Sequence, residues 1–320
     1  IGQGFATYGE TSRPDGKDFQ DARVTTDRAL TWLHDVPSDA PFFLWVHYFD
    51  AHAPYAPPPE VRKTLGPNSA AERDDMAVWL RRNHAIDPQP DDVEQIANYD
   101  AEIRAIDGQL QRLYESVEER PGIGLWVVTS DHGEGLMNHS FWGHVLELYT
   151  EHVSIPLIFH WSNHGPESQR VSTPVVSQVD VAPTLLDLAG LPGNTLPRAE
   201  GGSLRALLDG SGSPFPPDRT VFAQFGGELD RCEDLFALYG TDRALITPLH
   251  PGAERFYEIG SDRYETVNRD ATADPTQDRM RDTLQTLVAR LVTESSGYDD
   301  VNLIRDRPAL ERLRALGYVQ

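Results

Sequence analysis

The chain has 320 residues and a formal charge of −22, enough length for one large domain or for one large and one small domain. The acidic balance argues against nucleic acid as a ligand, because its phosphates would be repelled, and an anionic substrate would need a pocket made positive by metal, Arg or His. No segment approaches the roughly eighteen consecutive apolar residues of a membrane-spanning helix.

The single cysteine and the first residue of the chain bear on disulfide bonds, on the cellular compartment and on missing upstream residues. Cys232 is the single cysteine, which excludes an internal disulfide and a cysteine-based zinc cluster. The chain starts at Ile1 rather than Met and shows no signal peptide, so we expect that residues are missing upstream. The compartment therefore stays open, with periplasmic and secreted locations both considered.

The first predicted elements precede a proline-rich loop. Residues 21–33 carry apolar side chains at helical spacing and predict a helix. Phe42–Phe49 is a continuous apolar and aromatic run that predicts a buried strand, with His47 as a core residue. Asp50 and His52 follow the end of this strand. Four prolines then force an extended loop, so His52 lies where catalytic groups tend to occur.

The clearest predicted helix follows a polar segment. Residues 60–95 are polar and interrupted by prolines, which indicates an insertion or lid with short helices. Ile96–Glu118 then carries one apolar stripe at helical spacing. Asp100, Glu102 and Asp107 lie off that stripe, so we expect them to face solvent.

The strongest chemical signal lies in the middle of the chain. Ile123–Val128 predicts a buried strand, and binding groups in α/β sheets lie just past the carboxyl ends of strands. Three acids and three histidines then fall within seventeen residues, namely Asp131, His132, Glu134, His139, His144 and Glu147. Carboxylate and imidazole side by side could form half of a divalent-metal site. An aspartate that only caps a turn is the simpler alternative, and the spacing alone leaves both open.

The second half changes its pattern after a linker at residues 209–218. Before the linker we expect a strand at Val153–Trp161 and short helices at 182–188 and 201–208. After the linker we expect short strands without intervening helices at Thr220–Phe225, Leu235–Ile246 and Glu254–Ile259, then helices at Arg279–Val292 and Leu310–Leu316. This pattern indicates a small antiparallel subdomain.

Several segments together resemble the sulfatase family of the alkaline-phosphatase superfamily. They are FFLWVHYFDAHAPYAPP (42–58), YDAEIRAIDGQL (99–110), VVTSDHGEGL (127–136), WGHVLELYTEHVSIPLI (142–158), SQVDVAPTLLDLAGLP (177–192), ERFYEIGSDRYETVN (254–268) and the final LRALGYV. They follow the family's order over nearly the whole chain. The resemblance implies an α/β fold, with a large, mostly parallel (mixed) sheet between helices and a small C-terminal antiparallel sheet. Residues 1–212 would be a partial catalytic domain and 213–320 the C-terminal subdomain.

The resemblance also implies site residues and a cofactor. Asp131 and His132 would bind one divalent metal ion, Ca²⁺ or alternatively Mn²⁺ or Mg²⁺. His52 and His144 would be catalytic and would contact the sulfate or the leaving-group oxygen, with His144 standing where many members have Lys. His139 would make a nearby substrate contact. The substrate would be a small-molecule or glycan sulfate ester, with no nucleic acid partner; the oligomeric state stays open.

One departure from the family is serious. Its nucleophile, a cysteine converted to formylglycine or a serine, lies in a Cys/Ser-x-Pro-x-Arg motif that this sequence lacks. The usual N-terminal pair of metal-binding aspartates is also missing. We therefore expect a chain without its N-terminal part, the part that would carry the formylglycine, and we expect the isolated chain to be inactive.

Two other functions remain open on the sequence. Asp-His metal pairs also occur in phosphodiester and phosphonate-monoester hydrolases of the same superfamily. The chain could alternatively be a truncated, non-catalytic protein.

Overall fold

The computed structural model describes residues 4–9, 21–84, 86–122, 124–144, 147–162, 165–191, 200–225, 235–248, 254–269 and 274–295. The chain divides into two compact units. The first contains the described residues up to 124 together with 136–143, and the second contains those from 125 to 135 and from 144 onward. Among the described residues, no helix combines the length and apolar character needed to cross a membrane.

The first unit is built around a long helix. Its helices are α1 (Ala22–Asp35), α2 (Pro59–Leu65), α3 (Ala70–His84) and α4 (Pro90–Glu118). The predicted helix at 21–33 and the short helices of the polar segment are confirmed. Helix α4 begins six residues before the predicted start, because Pro90 suits the first helical turn and Asp92 accepts a hydrogen bond from the Gln89 N–H.

The predicted strand at Phe42–Phe49 is wrong for the described residues. A strand requires a hydrogen-bonded neighbour, and none of the described sheets includes this segment. The side chains nevertheless alternate between exposed and half-buried from residue 43 to 48, with Phe43 and Trp45 more than 60% exposed. His47 is exposed, so its assignment to the core is also wrong.

One predicted solvent-facing residue of α4 is instead buried. Glu102 is 5% exposed, although it lies off the apolar stripe, while Ile103 on the stripe is 46% exposed. The loop after His52 covers Glu102, since the Ala56 N–H donates to its Oε1 at 2.8 Å. Contacts from a distant segment therefore override the periodicity of this helix.

The second unit begins with the strand that leads to the candidate site. Strand β1 (Leu125–Thr129) confirms the predicted strand in the middle of the chain. The short strands β2 (Gly135–Leu136) and β3 (Trp142–Gly143) form a hairpin, most of which belongs to the first unit. Helix α5 (Thr150–Val153) and strand β4 (Leu157–Trp161) then continue the second unit. Among the described residues, β1 pairs with β4 in an antiparallel register.

The predicted antiparallel subdomain is confirmed. After α6 (Val181–Leu188) and α7 (Arg205–Leu208), four consecutive antiparallel strands form one sheet: β5 (Val221–Phe225), β6 (Leu235–Tyr239), β7 (Ala244–Pro248) and β8 (Arg255–Tyr257). Helix α8 (Pro275–Ser295) packs on this sheet through Met280 and Leu284. The predicted helix at Leu310–Leu316 lies outside the described residues.

Candidate active site

The turn after β1 presents the predicted metal-binding pair. Asp131 Oδ1 accepts a hydrogen bond from the His132 N–H at 3.0 Å, and Oδ2 lies 3.7 Å from His132 Nε2. Nδ1 of His132 lies 2.8 Å from the Gly133 carbonyl oxygen. Because a carbonyl only accepts, Nδ1 is the donor, and in the neutral imidazole this leaves Nε2 with the lone pair that a metal ligand needs.

This turn is packed tightly against α5. The Gly133 N–H donates to the His152 carbonyl at 2.8 Å, and a Cβ on Gly133 would lie 2.0 Å from the Glu151 carbonyl oxygen. Gly133 is therefore required for this close approach of two backbones, independently of any chemistry in the turn.

A buried acid from the C-terminal part of the chain holds helix α5 in place. Glu265 accepts the Thr150 N–H at 2.6 Å through one oxygen and the Tyr239 hydroxyl at 3.0 Å through the other. Burial raises the pKa of the Glu265 carboxyl and of the Tyr239 hydroxyl. The chain of contacts from Glu265 through α5 to Gly133 fixes the backbone beside His132.

His144, predicted as a catalytic residue, lies beside His132. The two imidazole rings are 4.0 Å apart between centroids. Nδ1 of His144 is 3.2 Å from Oε1 of Glu134, whose side chain is only 7% exposed. Glu134 thus orients the ring of His144 by accepting a hydrogen bond from its Nδ1–H.

The donor set fits a divalent cation only in part. The Asp131 carboxylate is 60% exposed, and its Oδ2 is close enough to His132 Nε2 for one ion to contact both atoms. However, no group of three or more His, Cys, Asp or Glu side chains among the described residues could hold a metal ion. The Asp131–His132 pair by itself would supply two donor atoms.

The remaining predicted histidines belong to the first unit. His52 is half-buried on the loop after residue 50, with Nδ1 2.7 Å from the Ala53 carbonyl and its ring 4.7 Å from that of Phe49. His139 is half-buried at the tip of the hairpin between β2 and β3, where the Met137 N–H donates to Phe141.

The structure changes the interpretation of two further residues. Glu147, one of the three clustered acids, forms an ion pair with Arg255 at 2.8 Å. Gln178 was not singled out by the sequence, yet its Nε2 donates to the carbonyls of Ser130 and Asp131 at 2.7 and 2.8 Å. An amide 47 residues away from the turn carries no local signal by which sequence reasoning could have found it.

Comparison with known proteins relates this sequence to a known family. A family model described as Sulfatase matches residues 3–191, more than half of the chain. The chain is 28% identical over 232 residues to the multifunctional alkaline phosphatase superfamily protein PehA of Trinickia caryophylli. That match covers 62% of this chain and 44% of PehA, so the chain spans less than half of that relative.

Solved structures support the fold. The structure of BT4656 in complex with its substrate D-glucosamine-2-N,6-O-disulfate superposes with a TM-score of 0.63 at 17% identity, covering 90% of this chain and 72% of that one. The phosphonate monoester hydrolase SpPMH of Silicibacter pomeroyi gives a TM-score of 0.55 at 18% identity, covering 94% and 67%. These likenesses confirm the predicted alkaline-phosphatase-like α/β fold with its small antiparallel sheet.

Proposed function

Because this chain belongs to the sulfatase family, we propose that it forms part of a metal-dependent hydrolase of sulfate esters. The observation that carries the proposal is the contact of His144 with the Asp131–His132 turn after β1, inside the matched region. The substrate bound by BT4656 supports a sulfated sugar as one class of substrate. In this reaction water and the ester give an alcohol and inorganic sulfate.

Asp131 and Nε2 of His132 would hold the divalent cation, Ca²⁺ or alternatively Mn²⁺ or Mg²⁺. When bound, the cation would supply a Lewis acid that stabilises negative charge on the sulfate oxygens. The hydrogen bond from Nδ1 of His132 to Gly133 fixes the tautomer, and Gln178 fixes the backbone of the turn. These contacts orient the His132 ring and the backbone of the turn.

His144 and His52 would contact the sulfate and the leaving-group oxygen, and His139 would contribute a further substrate contact. An imidazole can donate a proton to the departing oxygen near neutral pH. Glu134 supports this role for His144, because its hydrogen bond with Nδ1 fixes the orientation of the imidazole ring.

Calorimetric titration of this chain with Ca²⁺, Mn²⁺ and Mg²⁺ tests the metal assignment. We expect one equivalent of ion in the wild type and at least about 10-fold weaker binding in Asp131→Asn and in His132→Ala. Asp107→Asn, an exposed aspartate on α4, is the matched control and should bind as the wild type does. Equal affinity in the wild type and in Asp131→Asn would refute the assignment.

We also propose that these 320 residues alone hydrolyse no sulfate ester, because they contain no Cys/Ser-x-Pro-x-Arg nucleophile motif. Incubation of the purified chain with an aryl sulfate should release no product above the uncatalysed background. Measurable turnover that disappears in Asp131→Asn would contradict this proposal. One bound metal equivalent would count against a purely non-catalytic protein.

A second candidate function is hydrolysis of phosphodiesters or phosphonate monoesters. The Asp131–His132 pair and the likeness to SpPMH favour it. An aryl sulfate and an aryl phosphodiester should be compared side by side with the protein in its full natural length. A higher kcat/KM for the sulfate supports the sulfatase proposal, and the reverse order supports the second candidate.

A further inference from the structure

The loop that carries His52 has a defined internal conformation. The His52 N–H donates to the Phe49 carbonyl at 3.0 Å, and its Nδ1 donates to the Ala53 carbonyl at 2.7 Å. The imidazole ring also lies 4.7 Å from the ring of Phe49. These contacts fix the side chain relative to its own loop, but they do not attach the loop to the rest of the unit.

Two carboxylates attach the loop at its two ends. Asp50 Oδ1 accepts the Ala22 N–H at 2.6 Å, which joins the start of the loop to the first residue of α1. Glu102 Oε1 accepts the Ala56 N–H at 2.8 Å, which joins the end of the loop to the middle of α4. His52 is thus held between two anchors on two different helices.

The burial of Glu102 is unfavourable for the stability of the fold. It is 5% exposed, and a buried carboxylate costs stability that an apolar side chain of similar size would not. Burial raises its pKa to about 7, and the negative charges of Asp50 and Asp21 add to this rise, while the Ala56 hydrogen bond opposes it. Burial also raises the pKa of Asp50. Such a cost is typical of groups retained for the function of a site.

We propose that Glu102 and Asp50 are positioning residues that fix the His52 imidazole for contact with the sulfate group. The inference rests on the role that the proposed function gives to His52. It adds that the geometry of His52 is set from α4, through the hydrogen bond between Glu102 and the Ala56 N–H.

NMR of this chain at pH 8, where most of Glu102 is ionised, tests the inference. The measurements are amide hydrogen exchange of Ala56 and the His52 imidazole shifts during titration with inorganic sulfate. Three variants separate the effects: Glu102→Leu removes the acceptor, Glu102→Gln keeps it as an amide oxygen, and Glu102→Asp keeps the charge on a shorter side chain. Glu115→Leu, an exposed position of α4, is the matched control.

We expect Glu102→Leu to speed exchange of the Ala56 amide by about 5- to 10-fold, the loss of one hydrogen bond. It should also shift the His52 resonances and weaken their response to sulfate by roughly 10-fold. Glu102→Gln should restore wild-type behaviour, and Glu115→Leu should leave both measurements unchanged. Wild-type exchange and wild-type His52 shifts in Glu102→Leu would overturn the inference.

Two outcomes need separate interpretation. If Glu102→Leu does not fold, Glu102→Asp decides, because its shortened side chain cannot reach Ala56 without a shift; unchanged exchange and His52 shifts there would overturn the inference. If wild-type His52 does not respond to sulfate, the role of His52 in the proposed function fails, while Ala56 exchange and the His52 shifts still report whether Glu102 fixes the ring.

Discussion

Replacing Gly133 by Ala should disturb the turn that carries Asp131 and His132. The new Cβ would lie 2.0 Å from the Glu151 carbonyl oxygen, whereas real Cβ contacts are essentially never below 3.0 Å, so the two backbones must separate by about 1 Å. The hydrogen bond from the Gly133 N–H to His152, 2.8 Å long, would then be lost. A lost hydrogen bond of about 1 kcal/mol and overpacking of about 1 to 3 kcal/mol together lower the free energy of unfolding by about 2 to 4 kcal/mol.

Urea unfolding followed by circular dichroism measures this loss, and Ca²⁺ titration measures displacement of the turn. Gly108→Ala is the matched control: Gly108 lies inside α4, and a Cβ added there would meet no atom within 4 Å outside the backbone of its own helix, so Ala should stabilise the helix by roughly 1 kcal/mol. A change below about 0.5 kcal/mol in Gly133→Ala, with unaltered Ca²⁺ affinity, would refute the argument that α5 fixes the turn.

Three further predictions concern buried or distant polar groups. Since burial raises the pKa of Glu102 from 4.5 to about 7, its proton is bound more tightly in the folded chain, and stability should fall by up to about 3 kcal/mol as pH rises through that window. Urea unfolding of the wild type and of Glu102→Gln at pH 5 and 8 measures this effect, and the variant should not show the fall in unfolding free energy. An identical pH dependence in the wild type and the variant would contradict the prediction. Asp180→Asn should cost about 3 to 5 kcal/mol in the same assay, because Asp180 is fully buried and its two carboxylate oxygens accept hydrogen bonds from Nη1 and Nη2 of Arg219 at 2.8 and 2.9 Å. A loss below about 1 kcal/mol would be inconsistent with this ion pair. Gln178→Ala should weaken Ca²⁺ binding roughly 10-fold with little change in unfolding, since Gln178 holds the backbone of Asp131; unchanged calorimetric affinity would exclude that role.

The predictions that succeeded depend on neighbours in sequence. The apolar run before Asp131 forms β1, because its short length and the turn residues that bound it favour a strand over a helix. The stripe of α4 likewise predicted a helix, and the turn-separated strands after the linker predicted the antiparallel sheet. Each single strand or helix among them is indicated within a window of about ten to twenty residues.

The predictions that failed depend on contacts between distant segments. The run from Phe42 to Phe49 has the composition of a strand, but strand formation requires a hydrogen-bonding partner, and the described sheets provide none for it. Glu102 lies on the polar side of its helix by periodicity, yet the loop at Ala56, 46 residues earlier, buries it.

The sequence by itself indicated the family, the turn with Asp131 and His132, and the histidines considered for chemistry, because each motif and each strand end is encoded by neighbouring residues and the order of the motifs can be read along the chain. Only the tertiary structure decided that Glu134 holds His144, that Gln178 fixes the backbone at Asp131 and that Glu102 anchors the His52 loop. These contacts join residues 10, 47 and 46 positions apart. Such contacts follow from how the chain folds back on itself, and the burial of each polar group is set by whichever distant segment covers it.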